Sequence, residues 1–496
     1  MAIKLFSQAA VKRRQSFLYR AVLLLPLFLL SGCLEAPAVF ETPDDFRRNI
    51  SPRSPQMLPD SRILSLETAM QTALLNNPTN QAAAQAVLAA RYGYYQSLSA
   101  YMPEINAGFS PAHTLSRGWD LKNPPEGMLK RNDHFITSGS IRASYLLFDG
   151  FARELEVIIS RLEYRKSVAA SQNVRRLLLK AVAFAYYDMY QAEEEIRIFR
   201  EDLDFQNNAL HQAEQQFRNG HVSKASVLNF MILAAEAKSS ISNAEYRRKT
   251  AFHALSSLMG LDRRQMPADI QLQKITGRTP EYLHDEDFYL ELAVKKRPDL
   301  KEERLMLAAA YRNRQKVYSE FLPVIRLFSE FSLETYHAKY GHYRYTSAHG
   351  NQRAFTYGAE GSWNIFRGFY SLNKLRRSEA LEKIAMWGLN SRFLEIAAEV
   401  KDACADCRNS GFQMKVYQDM AQWVREQRDL VFSEYRNGRE TITRVNEAQS
   451  TLTAAQSRLV ISAVQYSKAV IRLAAATGTD IREAQRTLAQ QPSAKQ

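Results

Sequence analysis

The chain has 496 residues, with 66 Lys and Arg against 52 Asp and Glu, a formal charge of +14 and three cysteines. So few cysteines exclude a disulfide scaffold, and the cations form neither a basic block nor a nucleic-acid-reading pattern, so they belong to a solvated surface and no nucleic-acid partner is expected. No glycine-rich phosphate loop, nucleophile elbow or acid–base constellation is present, which predicts no enzymatic activity and no cofactor.

Five cations lead the chain (Lys4, Lys12, Arg13, Arg14 and Arg20), followed by an apolar run from Ala21 to Leu30 broken only by Pro26. That run is about half of what a membrane-spanning helix needs, so residues 1–32 read as an export signal. Leu30-Ser31-Gly32-Cys33 has the small residues and cysteine of a bacterial lipobox. The expectation is cleavage before Cys33, a covalent lipid on its sulfur and a linker over 33–64, with the apolar Leu34 directing the protein to the outer membrane. Beyond Leu30 no stretch approaches about eighteen uncharged apolar residues, so no transmembrane helix is predicted.

The rest of the chain is one unit written twice, a pattern to be sought before any local reading. Ala-Leu-Leu-Asn-Asn-Pro ending at Pro78 matches Ala-Val-Lys-Lys-Arg-Pro ending at Pro298, and Tyr101-Met102-Pro103 matches Phe321-Leu322-Pro323 at the same offset. Leu147-Phe148-Asp149-Gly150-Phe151 matches Ile365-Phe366-Arg367-Gly368-Phe369 with the offset shortened by two, and the shorter offset then persists through Phe217-Arg218-Asn219-Gly220 against Tyr435-Arg436-Asn437-Gly438. Each half predicts a short helix ending at the proline (Leu66 to Asn76; Phe288 to Lys296) and a second helix (Asn80 to Ala100; Leu300 to Glu320). A β-hairpin follows, at about 104–148 and 324–366. A very long helix comes next (Phe151 to Phe217; Phe369 to Tyr435), roughly 100 Å at 1.5 Å per residue. A tight Asn-Gly turn at 218–223 and 436–441 leads into a return helix. The repeats span 65–262 and 288–478, with a connector at 263–287 and a tail at 479–496.

The second return helix carries a heptad seam of alternating large and small residues: Val445, Ala448, Leu452, Ala455, Leu459, Ser462, Tyr466, Ala469, Leu473 and Ala476. Such a seam lets neighbouring helices approach closely as a coiled coil. In the first half only Arg248 breaks the corresponding series.

The strand segments alternate apolar and polar. Phe355, Tyr357, Ala359 and Gly361 face away from Thr356, Gly358 and Glu360, and Ile325, Leu327, Phe331 and Leu333 face away from Arg326, Glu330 and Glu334. A soluble hairpin shares this period, but the export signal and the aromatic residues at strand ends (Tyr336, Phe355, Trp363, Phe366) point to transmembrane β-strands. Four strands cannot close a barrel, for which about eight is the minimum, and lipid tolerates no open edge. At least two chains must therefore share one barrel.

This duplicated order, with its Phe-Asp-Gly-Phe and Phe-Arg-Gly-Phe junctions and twin Arg-Asn-Gly turns, resembles the TolC-type outer-membrane factors from about Ser65 to Gly478. The lipobox is similar to that of the efflux members rather than the protein-secretion ones. The resemblance implies a mainly α fold with a small β part. It also implies a homotrimer with a twelve-stranded barrel in the Gram-negative outer membrane and a coiled-coil tunnel reaching into the periplasm. The implied function is a passive exit duct for small molecules, the outer-membrane part of a three-part system with a periplasmic adaptor and an inner-membrane pump. Type I protein or peptide secretion is the alternative, and a non-channel envelope scaffold, against which the strand pairs argue, is more remote. Arg218, Asn219, Gly220, Arg436, Asn437 and Gly438 would form the adaptor-facing tip.

Behind those turns many members carry acidic residues that narrow the pore. Here the matching positions are Ser226 in the first half, and Arg444 with Glu447 in the second. Counting six helical residues from the Asn-Gly turn puts Arg444 roughly 9 Å up the return helix. Two readings stand: Arg444 lines the constriction, or it packs on a neighbouring helix and pairs with Glu447. Cys404 and Cys407 have a redox-like Cys-x-x-Cys spacing, but their repeat counterparts are Tyr186 and Met189, so buried structural thiols are expected. His337, His342 and His349 lie in a polar, tyrosine-rich loop with irregular spacing, and no metal site is predicted there.

Overall fold

The structure is a computed structural model, and it describes residues 63–118, 130–220, 222–261, 266–267, 270–273, 284–341, 346–437 and 439–483. Each repeat opens with two helices hinged at a proline. In the first, α1 (Leu66–Asn76) is capped by the Ser65 hydroxyl, which accepts from Thr68 N at 3.1 Å. Asn77 both ends α1 and starts α2 (Pro78–Leu98), its side chain accepting from Thr79 N and Asn80 N at 2.9 and 3.2 Å. Proline in the first helical position needs no donor there. This is why α2 and its counterpart α6 (Pro298–Val317) begin at the prolines, two residues before the expected starts. The counterpart of α1 is α5 (Glu286–Lys296). Before these helices, β1 (Ile63–Leu64) pairs in parallel with β4 (Gln271–Leu272) of the connector.

The hairpin strands are β2 (Glu104–Gly118), β3 (Lys130–Phe148), β5 (Val324–Gly341) and β6 (Thr346–Ser362), one antiparallel sheet in the order β2-β3-β5-β6. The second hairpin ends at Ser362, short of the expected 366, because residues 363–369 make the turn into the next helix. At the other end the strands outrun the apolar stretch, since a ladder needs backbone groups and not apolar side chains.

Two residues in the left-handed region turn each sheet into its long helix: Gly150 and Phe151 (φ 70° and 66°) before α3 (Ala152–Arg218), and Gly368 and Phe369 (57° and 64°) before α7 (Tyr370–Arg436). Phenylalanine at positive φ is strained, and both repeats hold it at the same corner. The long helices have 67 residues each. They return through α4 (Lys224–Leu258) and α8 (Ile442–Thr477), and α3 packs along α4 as α7 packs along α8. Nine of the ten α8 seam residues are buried, Leu459 being the exception at partial exposure. Arg248, which breaks the α4 seam, pairs with Glu193 of α3 at 3.0 Å. By length and composition α8 could cross a bilayer, contrary to the expectation from uninterrupted apolar runs, but 56% of its most apolar stretch is buried inside the chain. Its small residues serve helix packing.

At mid-length the two repeats meet. Tyr186 of α3 donates its hydroxyl to Leu64 O at 3.0 Å, tying the helix to β1. Arg176 of α3 donates to Ala475 O of α8 at 2.5 Å and faces Asp299 at 3.5 Å, so the first repeat is joined to both ends of the second.

Candidate functional site: the sheet faces and the helical tip

The sheet has two chemically opposite faces. In register, Ile141 lies between Ala107 and Phe331, and Phe331 lies beside Phe355. These side chains, with Ile105, Phe109 and Tyr357, are exposed, Ile105 by 70% and Tyr357 by 76%. An apolar face left open on this scale needs a non-aqueous neighbour. On the other face Arg142 of β3 reaches Glu330 of β5 and Glu360 of β6, both at 3.5 Å, and stacks over Phe328 at 4.9 Å. Apolar outward and ion-paired inward is the arrangement of a wall between lipid and a water-filled lumen. The sheet's outer edges, β2 and β6, carry no partner strand among the described residues.

The tip is built by helix ends. Gly220 sits at φ 74° with nothing within 4 Å of where a β-carbon would be, and its N–H donates to Phe217 O at 3.0 Å, ending α3. In the second repeat Arg439 N reaches back to Glu434 O at 3.0 Å, a helix-terminating bond. Gly438 and the Arg436 side chain lie outside the described residues. Ser223 and Thr441 cap the return helices, accepting from Ser226 N and Arg444 N, each at 3.4 Å. A hydroxyl residue three positions after each turn glycine is the sequence signal for these caps, and counting from the turn alone misses it.

The caps correct the position of Arg444. α8 begins at Ile442, so Arg444 stands in its first turn and not 9 Å up the helix, because the residues between the turn and Thr441 are not helical. Arg444 Nη1 donates to Glu447 Oε2 at 3.0 Å, and both side chains are more than half exposed, 53% and 60%. In the single chain, then, Arg444 is paired without being packed on a helix. Ser226 holds the equivalent first-turn position of α4.

Cys404 and Cys407 are buried free thiols in the core cluster with Met414 and Tyr466. Burial and the neighbouring Cys404 push the Cys407 thiol up to about 11, which leaves it protonated and inert at neutral pH. His337 and His349 stand opposite each other on β5 and β6 with ring centroids 4.6 Å apart, on the outward face. His342 and Cys33 lie outside the described residues. Among the described residues no group of three metal-ligating side chains forms. An ionic cluster at mid-length (buried Arg176, Arg297 and Asp299, with the partly exposed Glu399) has only one trace in the sequence, the Arg-Pro-Asp at a helix start, which periodicity does not pick out.

In comparisons, the chain is 24% identical over 491 residues to Protein CyaE of Bordetella pertussis, covering 95% of this chain and 97% of that protein. In fold it is similar to the outer membrane protein VceC of Vibrio cholerae, with a TM-score of 0.69 and 18% identity over 84% of this chain and 96% of that one. It is also similar to the CmeC outer membrane channel of Campylobacter jejuni, with a TM-score of 0.71 and 14% identity over 86% and 89%. With the profile of outer membrane efflux proteins matching residues 69–261 and 289–479, in step with the two repeats described above, the chain belongs to the outer membrane efflux protein family, whose members are channels of the Gram-negative outer membrane.

Proposed function

We propose that three copies of the chain close one twelve-stranded barrel and one helical tunnel, and that the trimer is the passive exit duct of a three-part system exporting small molecules. The observation that carries this reading is the four-stranded sheet: one face apolar and exposed, the other ion-paired, and two edges without partners among the described residues. Lipid tolerates no such edge, and joining β6 to β2 of the next copy removes it. Cys33 carries the lipid that tethers each protomer to the membrane. Twin turns at Gly220 and at 436–441 present six helical hairpin turns per trimer to a periplasmic adaptor, and an inner-membrane pump supplies the energy. Ser226, Arg444 and Glu447, in the first two helical turns behind those hairpin turns, ring the narrowest part of the duct.

The repeat sets the register of the closing strands. Inside the chain Ala143 of β3 pairs with Ser329 of β5. The repeat equivalent of Ala143 is Gly361 on β6, and that of Ser329 is Phe109 on β2, so Gly361 of one copy falls opposite Phe109 of the next. A chain carrying Gly361→Cys and Phe109→Cys, with Cys404 and Cys407 replaced by alanine, should oxidise to a covalent trimer that conducts ions in a planar bilayer. The pair Gly361→Cys with Ser110→Cys, one residue out of phase and therefore on opposite faces, should not cross-link. Equal cross-linking of both pairs, or dimers as the end product, would refute the closure.

A further inference from the structure

The helical hairpins of the two repeats correspond residue for residue: α3 and α7 have equal lengths, and α4 and α8 start at the same separation in sequence as α3 and α7. Within the chain α8 packs against α3. In a closed ring of copies, which rests on the trimeric reading above, the matching contact is α7 against α4 of the neighbouring copy. The chemistry of the two seams can therefore be compared position by position.

The seam inside the chain is polar in the part of the long hairpins near the tip. Asp202 of α3 accepts from Gln449 Nε2 and from Thr453 Oγ1 of α8, both at 3.1 Å. Gln206 and Asn446 are buried in the same stretch, 2% and 6% exposed. The Gln206 carbonyl oxygen and both amide atoms of Asn446 have no hydrogen-bond partner among the described residues. Buried amides without partners oppose closure, and water entering the seam would satisfy them. Nearer the turn, Ile442 of α8 packs across the seam on the apolar cluster of Ala209, Ala213 and Phe230.

At the equivalent positions of the other repeat every one of these polar groups is replaced by an apolar one. Asp202 and Gln206 become Met420 and Val424; Asn446, Gln449 and Thr453 become Leu228, Met231 and Ala235. Leu228 and Met231 are 48% and 50% exposed in the single chain, and Trp423 beside Met420 is 66% exposed. These side chains fit a second copy of the same helices, and separating them again would expose apolar surface to water. The counterpart of the Ile442 clasp is Lys224, so near the tip the seam between copies has this apolar stretch and no apolar clasp at that position.

We infer that the tunnel end opens along the polar seams within each chain while the apolar seams between chains stay closed. The unit that moves is then a composite: α7 and α8 of one copy together with α3 and α4 of its neighbour. The chain boundary and the mechanical boundary do not coincide.

The test uses the full-length trimer with Cys404 and Cys407 replaced by alanine. Ile442→Asn, which removes the clasp, should raise single-channel conductance several-fold. Adding the pair Asp202→Cys and Gln449→Cys should cancel that rise on oxidation and restore it on reduction. Adding Met231→Cys and Met420→Cys instead should give covalent trimers on a denaturing gel and leave the raised conductance intact. Unchanged conductance in Ile442→Asn overturns the inference. So does loss of conductance through the interchain disulfide, or failure of either pair to oxidise in an assembled trimer. Absence of trimers before any oxidation would instead sink the assembly on which the inference stands.

Discussion

Arg297 clasps Asp299 two residues further on, Nε donating to Oδ1 at 3.0 Å and Nη2 to Oδ2 at 2.6 Å, with both side chains more than nine-tenths buried. Between them lies Pro298, the first residue of α6, whose ring fixes the backbone at the point where the two side chains converge. Arg297 also donates to Glu399 at 2.6 Å and to Ala476 O at 3.1 Å, so one guanidinium links α6, α7 and α8. Removing one partner of a buried ion pair leaves an unpaired charge, so Arg297→Ala should cost about 3–5 kcal/mol. The thermal transition of the purified trimer measures it, and a change within error would mean that water already solvates the site.

The same pair sets an acid limit. Burial works against ionisation of Asp299, but the hydrogen bonds and charge of Arg297, with Arg176 beyond, outweigh it and hold the carboxyl below its usual range. A depressed carboxyl contributes its stability in full above its unfolded pKa, about 3.9, and loses it as pH falls through the folded value. The trimer's transition should therefore not vary with pH through this group between about 5 and 7, and should fall below about 4. In Asp299→Asn that acid component should be missing. A melting series from about pH 3 to 7 on both proteins decides, and identical acid slopes would count against the pair.

Two glycines at positive φ should respond differently to a side chain. At Gly220 a β-carbon meets nothing within 4 Å, so Gly220→Val strains only the backbone, about 1–2 kcal/mol. At Gly260 it would lie 2.5 Å from Asn76 O. Gly220→Val should leave trimers and membrane insertion intact while export fails at the adaptor-facing tip; Gly260→Ala should lower the amount of folded protein. Drug-susceptibility plating alongside trimer yield separates the two, and loss of folding in Gly220→Val would place that turn in the core of the assembly.

Cys33→Ala should stop processing, leaving a larger precursor that takes up no radioactive fatty acid. Mass spectrometry of the amino terminus gives an independent reading. Normal fatty-acid labelling in the variant would remove Cys33 as the attachment point.

The proposed place of Arg444 in the duct is open to test, because both it and its partner Glu447 are more than half exposed. Three arginines in one ring raise the barrier to cations. Reversal potentials in asymmetric salt should show weak cation selectivity in the native trimer and a marked shift toward cations in Arg444→Asp. That substitution also puts a carboxylate in the first turn of α8, where the helix dipole favours it, so stability should hold. A strongly cation-selective native channel that the substitution leaves unchanged would take Arg444 out of the lumen.

Much of this architecture is carried by local pattern. The period-two alternation of Phe355 to Gly361, the heptad of Val445 to Ala476 and the Asn-Gly turns each depend on neighbours in sequence, and the duplication repeats each signal, so both helical hairpins and both strand pairs are legible without the fold. What depends on residues far apart is not. Arg176, Arg297 and Glu399 lie in three separate parts of the chain and meet only because α3, α6 and α7 pack at mid-length. The placement of Arg444 turned on a cap hydroxyl competing with helix continuation, a balance of about 1 kcal/mol that spacing alone does not reveal. Above all, the repeat makes the two halves look alike, whereas packing makes them face different partners. Asp202 meets Gln449 of its own chain, while Met231, the repeat equivalent of Gln449, is left half exposed. Sequence determined the pieces through local hydrogen-bonding and periodicity; tertiary structure decided which surfaces were satisfied within the chain and which were left for another copy.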